Sequence, residues 1–334
     1  MLPSLLWRKT DAGHVSCLVC SHKCVLKDGA FGVCKTRMNK NGRLVSLLTD
    51  VVSSVQIDPI EKKPLYHFLP ASTVFSVGSS GCNFRCSFCQ NSHISVIPET
   101  GTVTGRRVDA QTLLDLAVRH ATASIAFTYN EPTLSVELIN ETAQRAASAN
   151  LPVVLVTNGY MSQDFLELIG KNCAAMNVDL KSFSDDFYRE YCGARLLPVL
   201  DTLKALAKTN IWFEVTTLVI PGVNDSPEEL RDCAQFICNE LGVDTPWHLS
   251  AFFGAHKMRN HPATSPETLQ MAWEIGKDAG LHFVYMGNIV HPTGANTYCP
   301  DCGALLIERT RWNVVVHSAG KCPACGCAIA GVWH

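Results

Sequence analysis

The sequence predicts an α/β fold whose parallel sheet closes into a barrel or an incomplete barrel. Three observations predict it. Apolar strand-like runs alternate with amphipathic helix-like stretches between about residues 70 and 290, and repeated βα units imply parallel strands joined by helical crossovers. The main candidate motifs of this region follow strands, where such folds carry their chemistry. No G-x-G-x-x-G follows the first strand, which weighs against a doubly wound open sheet.

The strand candidates, in order, are Thr73–Val77, Ser124–Thr128, Pro152–Thr157, Ala175–Leu180, Trp212–Val219, Trp247–Phe252 and Leu281–Tyr285. Each is a short run rich in β-branched, aromatic or aliphatic residues. The helix candidates are Ala110–His120, Leu134–Ala149, Pro227–Leu241 and Pro266–Ala279, whose apolar residues recur at helical spacing. Residues 1–70 have another texture, with four cysteines and a hairpin signal at Asn41-Gly42. Residues 291–334 hold a second four-cysteine group. We therefore expect three parts: a Cys-rich segment (1–70), a barrel (71–290) and a terminal knuckle (291–334).

The 334 residues are 47% hydrophobic and 17% charged, enough to bury a sizeable core. A net charge of −2 suggests no polyanion-binding surface. Met1 to Thr10 has too short an apolar stretch for a secretory signal, and no run is long enough to span a bilayer. A cytoplasmic protein without nucleic-acid or membrane partners is expected. Of the sixteen cysteines, eleven fall in three short groups. In a reducing compartment such grouping favours metal ligation over disulfides.

The most informative group is Cys82, Cys86 and Cys89, spaced C-x3-C-x2-C after the first strand. Iron–sulfur clusters usually take four thiolates. Three from one tight loop leave one iron of a [4Fe–4S] cluster without a protein ligand. That iron can chelate the amino and carboxylate groups of S-adenosylmethionine (SAM), and one electron then releases a 5′-deoxyadenosyl radical. Phe88 offers a flank to the adenine. The competing reading is a zinc knuckle completed by His93.

Other strand ends carry polar residues. Glu131, in Thr128-Tyr-Asn-Glu-Pro132, can accept from an ammonium or be a solvated turn carboxylate. Thr157 and Asn158 can bond ribose hydroxyls or a carboxylate, or form a plain Asn-Gly turn. Asp179 and Lys181 are two apart on a strand and share a face, as functional groups or as a salt bridge. Pro59-Ile-Glu-Lys-Lys-Pro64, followed by Tyr66 and His67, reads as a solvated charged loop or as the lining of an entrance. Cys192, Cys233 and Cys238 read as core, His248, His256 and His291 as structural, and Tyr285 to Asn288 as a possible substrate contact.

Cys299, Cys302, Cys322 and Cys325 form two C-P-x-C-G knuckles separated by nineteen residues. Four sulfurs give a closed tetrahedral site, zinc or a rubredoxin-type iron, with a structural role. Cys17, Cys20, Cys24 and Cys34 read C-x2-C-x3-C-x9-C; zinc, a second cluster and no metal all remain open.

On these residues the chain resembles the radical SAM superfamily. It is most similar to relatives of the pyruvate formate-lyase activating enzyme, and within them to the AmmeMemoRadiSam system radical SAM enzyme. The resemblance runs through Cys17-Leu-Val-Cys20 with Cys24 and Cys34, Asp58 to His67, the 82–89 loop, Tyr129-Asn-Glu-Pro132, Val178-Asp-Leu-Lys181 and the terminal knuckles. It implies a partial (β/α)6 barrel and reductive SAM cleavage. It also implies cluster ligation by Cys82, Cys86 and Cys89, a Glu131 contact to the SAM amino group, and roles near SAM or a cation for Thr157, Asp179 and Lys181. The implied partners are a flavodoxin- or ferredoxin-like electron donor and either a glycyl-radical protein substrate or the companion proteins of that system. The chain departs from the usual Gly-Gly-Glu-Pro with Tyr129 and Asn130, and from Asp-Thr-Asn-Gly with Val156, and it has no ferredoxin-like cysteine insert just after Cys89. The rival readings are a zinc-binding scaffold and a zinc-ribbon nucleic-acid binder, the latter disfavoured by the absence of a basic stripe.

Overall fold

The structure, a computed structural model, describes residues 2–310 and 313–333. The chain divides into two units, residues 2–58 with 73–175, and residues 59–72 with 176–333.

In the first unit four strands form one sheet: β1 (Ser54–Pro59), β2 (Thr73–Gly78), β3 (Ser124–Phe127) and β4 (Val153–Thr157), in the spatial order β4-β3-β2-β1. β3 runs parallel to both β2 and β4, with Ile125 opposite Phe75 and Val153. Val74, Phe75, Val77, Ile125, Ala126, Phe127, Val153, Val154 and Leu155 are all buried, the continuous apolar pattern of parallel strands covered on both faces. The crossovers are the helices Ala110–Arg119 and Val136–Ser148, followed by Gln163–Ile169. Asp109 and Ser162 cap two of them by accepting from Thr112 N and Phe165 N.

The N-terminal segment is built from short antiparallel strands. Asn41 and Gly42 both take positive φ (54° and 73°), so Arg37–Lys40 turns tightly onto Arg43–Ser46, as the Asn-Gly signal predicts. Arg37 is buried and reaches Glu137 on the crossover helix. Its guanidinium donates to both carboxylate oxygens (2.8 and 2.7 Å) and to Leu134 O (2.8 Å), and Leu5 N also donates to Glu137 (2.8 Å). Burial alone would raise the Glu137 pKa, but the Arg37 charge outweighs it and holds the carboxyl below its usual range.

β5 (Cys173–Asp179) begins in the first unit and ends in the second. The second unit continues with β6 (Trp212–Val219), β7 (Trp247–Ala251) and β8 (Val284–Gly287), in the order β8-β7-β6-β5, with β6–β7 and β7–β8 parallel. Helices Leu197–Leu206, Pro227–Phe236 and Pro266–Asp278 accompany them. A three-stranded antiparallel sheet follows (Thr297–Tyr298, Leu305–Thr310, Asn313–Val316). Phe283 and Tyr285 share a buried cluster with Cys299, Leu306, Ile307, Cys322 and Ile329, so the terminal knuckles are rooted in the core.

Expected and observed elements differ in a few places. The helix expected over Pro227–Leu241 is α-helical to Phe236 and then widens into a π-turn. The last strand starts at Val284 rather than Leu281, because Gly280 turns left-handed (φ 96°) and Leu281 N caps the preceding helix at Gly276 O. The segment Pro59–Pro64 is more enclosed than a solvated loop: Ile60 and Lys63 are buried while Lys62 is exposed, and Leu65 and His67 just after it are buried. The reason is a buried carboxylate, Glu214, which accepts from the amides of Tyr66 (2.9 Å) and His67 (2.8 Å). Among the described residues no helix is long and apolar enough to cross a membrane.

Replacing Arg37 with Met removes one partner of a buried pair, and we expect a loss of about 3–5 kcal/mol, read from denaturant unfolding. Because the folded Glu137 pKa is depressed, its stabilisation is present above the unfolded carboxyl value of about 4.3 and is lost as pH falls through the folded one. The variant should show a flatter acid limb than the parent. An equally steep limb would remove Glu137 as its source.

Candidate active site

The 82–89 loop leaves the C-terminal end of β2, and buried amides fix its entry. Ser79 N donates to Asn130 Oδ1 (3.0 Å) and Asn130 Nδ2 donates to Gly81 O (2.8 Å), so one side chain grips both ends of the turn. Gly81 takes φ +86°, and a Cβ there would lie 2.6 Å from Thr36 Cγ2. Only glycine fits that approach. At the loop's exit Asn91 Nδ2 donates to Tyr129 O (2.8 Å).

The loop's first cysteine faces the ends of β3 and β4. Phe84 N donates to Cys82 Sγ (3.3 Å), and Asn158 Nδ2 lies 3.7 Å from the same sulfur while donating to Asn83 Oδ1 (2.7 Å). Desolvation, then the nearby Glu131 carboxylate, raises the Cys82 thiol well above its ordinary value. A bound metal would be needed to hold it as thiolate. Cys86 and Cys89 are half-buried on the same loop, and Phe88 is buried. His93 is exposed on the short helix Ser92–Ser95.

Glu131 is an interior carboxylate, not a solvated turn. It accepts from Thr133 N (3.0 Å), the Thr133 hydroxyl, Thr157 Oγ1 (2.8 Å) and Asn158 N (2.8 Å). Burial raises its pKa despite these donors. The structure thus brings Cys82, Glu131, Thr157 and Asn158 together, as expected of one site. Tyr129 takes φ +74°, a left-handed backbone that glycine adopts more readily than tyrosine. Here the tyrosine hydroxyl donates to Asp58 (2.6 Å), which anchors a backbone that costs roughly 1–2 kcal/mol in a non-glycine residue.

The sequence did not single out Asn83, Asn130 or His22. His22 Nε2 is 2.8 Å from Asn83 O, and its ring meets Tyr160 at 4.9 Å. Desolvation, then the Arg85 charge, keeps its pKa below the ordinary value. The adjacent positions Asn83 and Asn130, each beside a chosen residue, were the available signal; His22 had none beyond lying among cysteines.

In the second unit Asp179 and Lys181 form an ion pair at 2.8 Å, the salt-bridge alternative; β5 ends at Asp179, so Lys181 lies beyond the strand face the spacing predicts. Asn177 instead bonds Pro64 O and Thr216. His248, expected to be structural, is buried and pairs with Glu214 (2.6 Å). His67 Nε2 meets the Tyr285 hydroxyl, which bonds Thr297 (2.8 Å), so Tyr285 is committed to the core. Cys192 and Cys233 are buried as expected of core residues.

The four C-terminal sulfurs lie within 4.8 Å of one another, with Cys299–Cys325 at 3.5 Å and Cys302–Cys322 at 3.6 Å. A tetrahedron with metal–sulfur bonds of about 2.3 Å has edges of roughly this length, so the donors fit a single ion. Gly303 and Gly326 (φ 73° and 82°) close each knuckle by donating to Cys299 O and Cys322 O. The amide of Cys325 pulls the Cys322 thiol below its usual value. Cys17, Cys20, Cys24 and Cys34 line one small cavity with His22, Arg37 and Leu134.

The radical SAM superfamily profile matches residues 76–236. The chain is similar to an uncharacterized protein of Methanocaldococcus jannaschii, MJ0808, at 39% identity over 98% of each chain. It is also similar to the pyruvate formate-lyase-activating enzyme of Clostridium pasteurianum, at 25% identity over 50% of this chain and 72% of that one. Among solved structures, Streptococcus suis SuiB bound to precursor peptide SuiA matches in fold, with a TM-score of 0.52 and 13% identity over 70% of this chain and 52% of that one. Membership implies a [4Fe–4S] cluster and SAM as cofactors. An α/β fold with a largely parallel sheet, a cysteine loop after its second strand and full-length similarity to a close relative agree: the chain belongs to the radical SAM superfamily and is an enzyme of that chemistry.

Proposed function

We propose that Cys82, Cys86 and Cys89 hold the [4Fe–4S] cluster and that the enzyme cleaves SAM to abstract a hydrogen atom. The observation that carries this reading is the convergence of Cys82, Glu131, Thr157 and Asn158 at the ends of β2, β3 and β4. When bound, the cluster supplies one electron to the sulfonium of SAM and the cofactor supplies the radical. The chain's own residues bind and orient. Asn158 and the Phe84 amide direct dipoles at the Cys82 sulfur, which raises the cluster's potential. Glu131 ties the ends of β3 and β4 into one rigid rim and offers its carboxylate to the SAM amino group. Thr157 and Asn158 present groups to the ribose or carboxylate, Phe88 its flank to the adenine, and Asp179 and Lys181 polar contacts to SAM or a cation. A partial (β/α)6 barrel spanning 71–290 would exclude water from the radical.

The target is a hydrogen on a protein glycyl Cα, in keeping with the similarity to an activating enzyme. The second reading, a small molecule or peptide handled with AmmeMemoRadiSam companion proteins, is favoured by the whole-length resemblance. A flavodoxin- or ferredoxin-like protein delivers the electron, in the cytoplasm. The C-terminal four cysteines, in 291–334, hold a structural zinc, for which their tight sulfur spacing speaks.

Cys86→Ala should abolish 5′-deoxyadenosine formation from SAM under dithionite while zinc content is unchanged; residual formation would refute the ligand assignment. Glu131→Ala should raise the SAM dissociation constant about tenfold, or about 1.4 kcal/mol, with iron content retained. An unaltered constant would reduce Glu131 to an internal brace. Cys302→Ser should lower the melting temperature more than turnover per folded molecule, and the opposite pattern would make that site catalytic.

A further inference from the structure

Asn83 follows Cys82 in the cysteine loop and is 1% exposed. Both its backbone and its side chain are held. The backbone carbonyl accepts from His22 Nε2 (2.8 Å), and the side-chain Oδ1 accepts from Asn158 Nδ2 (2.7 Å). Which end of the Asn83 amide is the oxygen follows from its neighbour. Asn158 Oδ1 accepts from the amide of Tyr160 (3.0 Å), so Asn158 presents its NH2 group to Asn83, and a donor must meet an acceptor. The NH2 group of Asn83 is then the one left over. It is buried, and among the described residues it has no hydrogen-bond partner. Buried polar groups are paired in nearly all cases, so this one calls for an acceptor.

The amide stands beside the first cysteine of the loop. Cys82 Sγ is 3.8 Å from Asn83 Oδ1 and 3.7 Å from Asn158 Nδ2. Asn83 Nδ2 shares a carbon with Oδ1, so it is close to the same sulfur. The protein groups around it cannot serve it. His22 Nε2, Asn158 Nδ2 and the Phe84 amide all donate here. The carboxylate of the site, Glu131, already accepts from Thr133 N, the Thr133 hydroxyl, Thr157 Oγ1 and Asn158 N. The acceptor must come from the group that the loop binds.

We propose that Asn83 Nδ2 donates to a sulfide of the [4Fe–4S] cluster and so sets its reduction potential. The proposal rests on the reading of Cys82, Cys86 and Cys89 as the cluster's ligands. Hydrogen bonds to cluster sulfurs tune the potential, and a donor favours the reduced state by offsetting the added negative charge. Asn158 and the Phe84 amide act on the Cys82 thiolate, whereas Asn83 acts on the inorganic core. Asparagine suits this position because its amide carries an acceptor and a donor side by side. Asn158 takes the acceptor and thereby aims the donor. Leucine would offer neither, and aspartate would turn a second acceptor toward a sulfide.

Pulsed electron paramagnetic resonance on the wild-type chain tests this. The protein is made in an asparagine auxotroph with asparagine carrying nitrogen-15 at the side-chain amide, reconstituted anaerobically, and reduced without SAM. The reduced cluster should show two nitrogen-15 couplings, one from Asn158 and one from Asn83, and fewer than two would overturn the proposal. Asn83→Leu should keep the loop's iron, lose one coupling and favour the oxidised cluster tenfold, a midpoint about 59 mV lower. A parent-like potential in an iron-replete variant would refute the role, since an amide that only braces the loop moves stability and not potential. If the variant sheds its iron, the labelled parent decides. A coupling or a potential difference that arises only after SAM is added would give the amide to SAM and overturn the assignment to the cluster. Cys86→Ala keeps the two readings apart. A cluster signal that survives this change removes the loop assignment and the Asn83 contact together; a signal that vanishes, with fewer than two couplings in the parent, removes the Asn83 contact alone.

Discussion

Asn130 is the constraint on which the rest of the first unit turns. The loop that carries Cys82, Cys86 and Cys89 is neither helix nor strand, so its backbone groups lack ladder partners. Asn130 supplies them at the entry, accepting from Ser79 N and donating to Gly81 O. Asn91 does the same at the exit through Tyr129 O. Both belong to, or bond with, the turn that follows β3, so β3 and the cysteine loop are positioned by the same residues. The next residue, Glu131, carries the linkage on to β4 through Thr157 and Asn158. A single strand-end tetrapeptide therefore sets where Cys82 stands relative to the groups around it.

The three cysteine groups differ in burial and in spacing. The C-terminal knuckles bring four sulfurs within 4.8 Å of one another, with Cys299 and Cys322 buried beside Phe283 and Tyr285 and Cys302 and Cys325 exposed. The 82–89 loop carries three cysteines. The N-terminal four share a cavity with a buried guanidinium, Arg37, whose ties to Glu137 fix that segment to the crossover helix.

Much of this was legible in the sequence. Six of seven expected strands begin within two residues of the observed ones, because fully buried parallel strands leave an unbroken apolar run. The 82–89 spacing and the C-P-x-C-G pair were readable because ligand geometry fixes sequence distance. The last strand shifted because helix capping at Gly276 and Gly280 took residues that hydropathy assigned to it. Pro59 to His67 was misjudged for a different reason. Its charge density suggests solvent, yet the partner that buries it, Glu214, lies 147 residues from His67. Local pattern carries no trace of such a pairing. His22, Asn83 and Asn130 escaped for the same cause: they act through backbone groups brought near only by the fold.

Tyr129 shows how a departure from a family motif can be compensated rather than tolerated. The backbone there is left-handed, which glycine adopts freely and a tyrosine does not. The side chain that creates the strain also offsets it. Its hydroxyl reaches Asp58 at the end of β1, the strand that flanks β2, while its own carbonyl accepts from Asn91. A glycine would relax the turn but leave β1 and the cysteine loop unconnected at this point. The larger residue converts a permissive hinge into a fixed strut that holds the start of the cysteine loop in place.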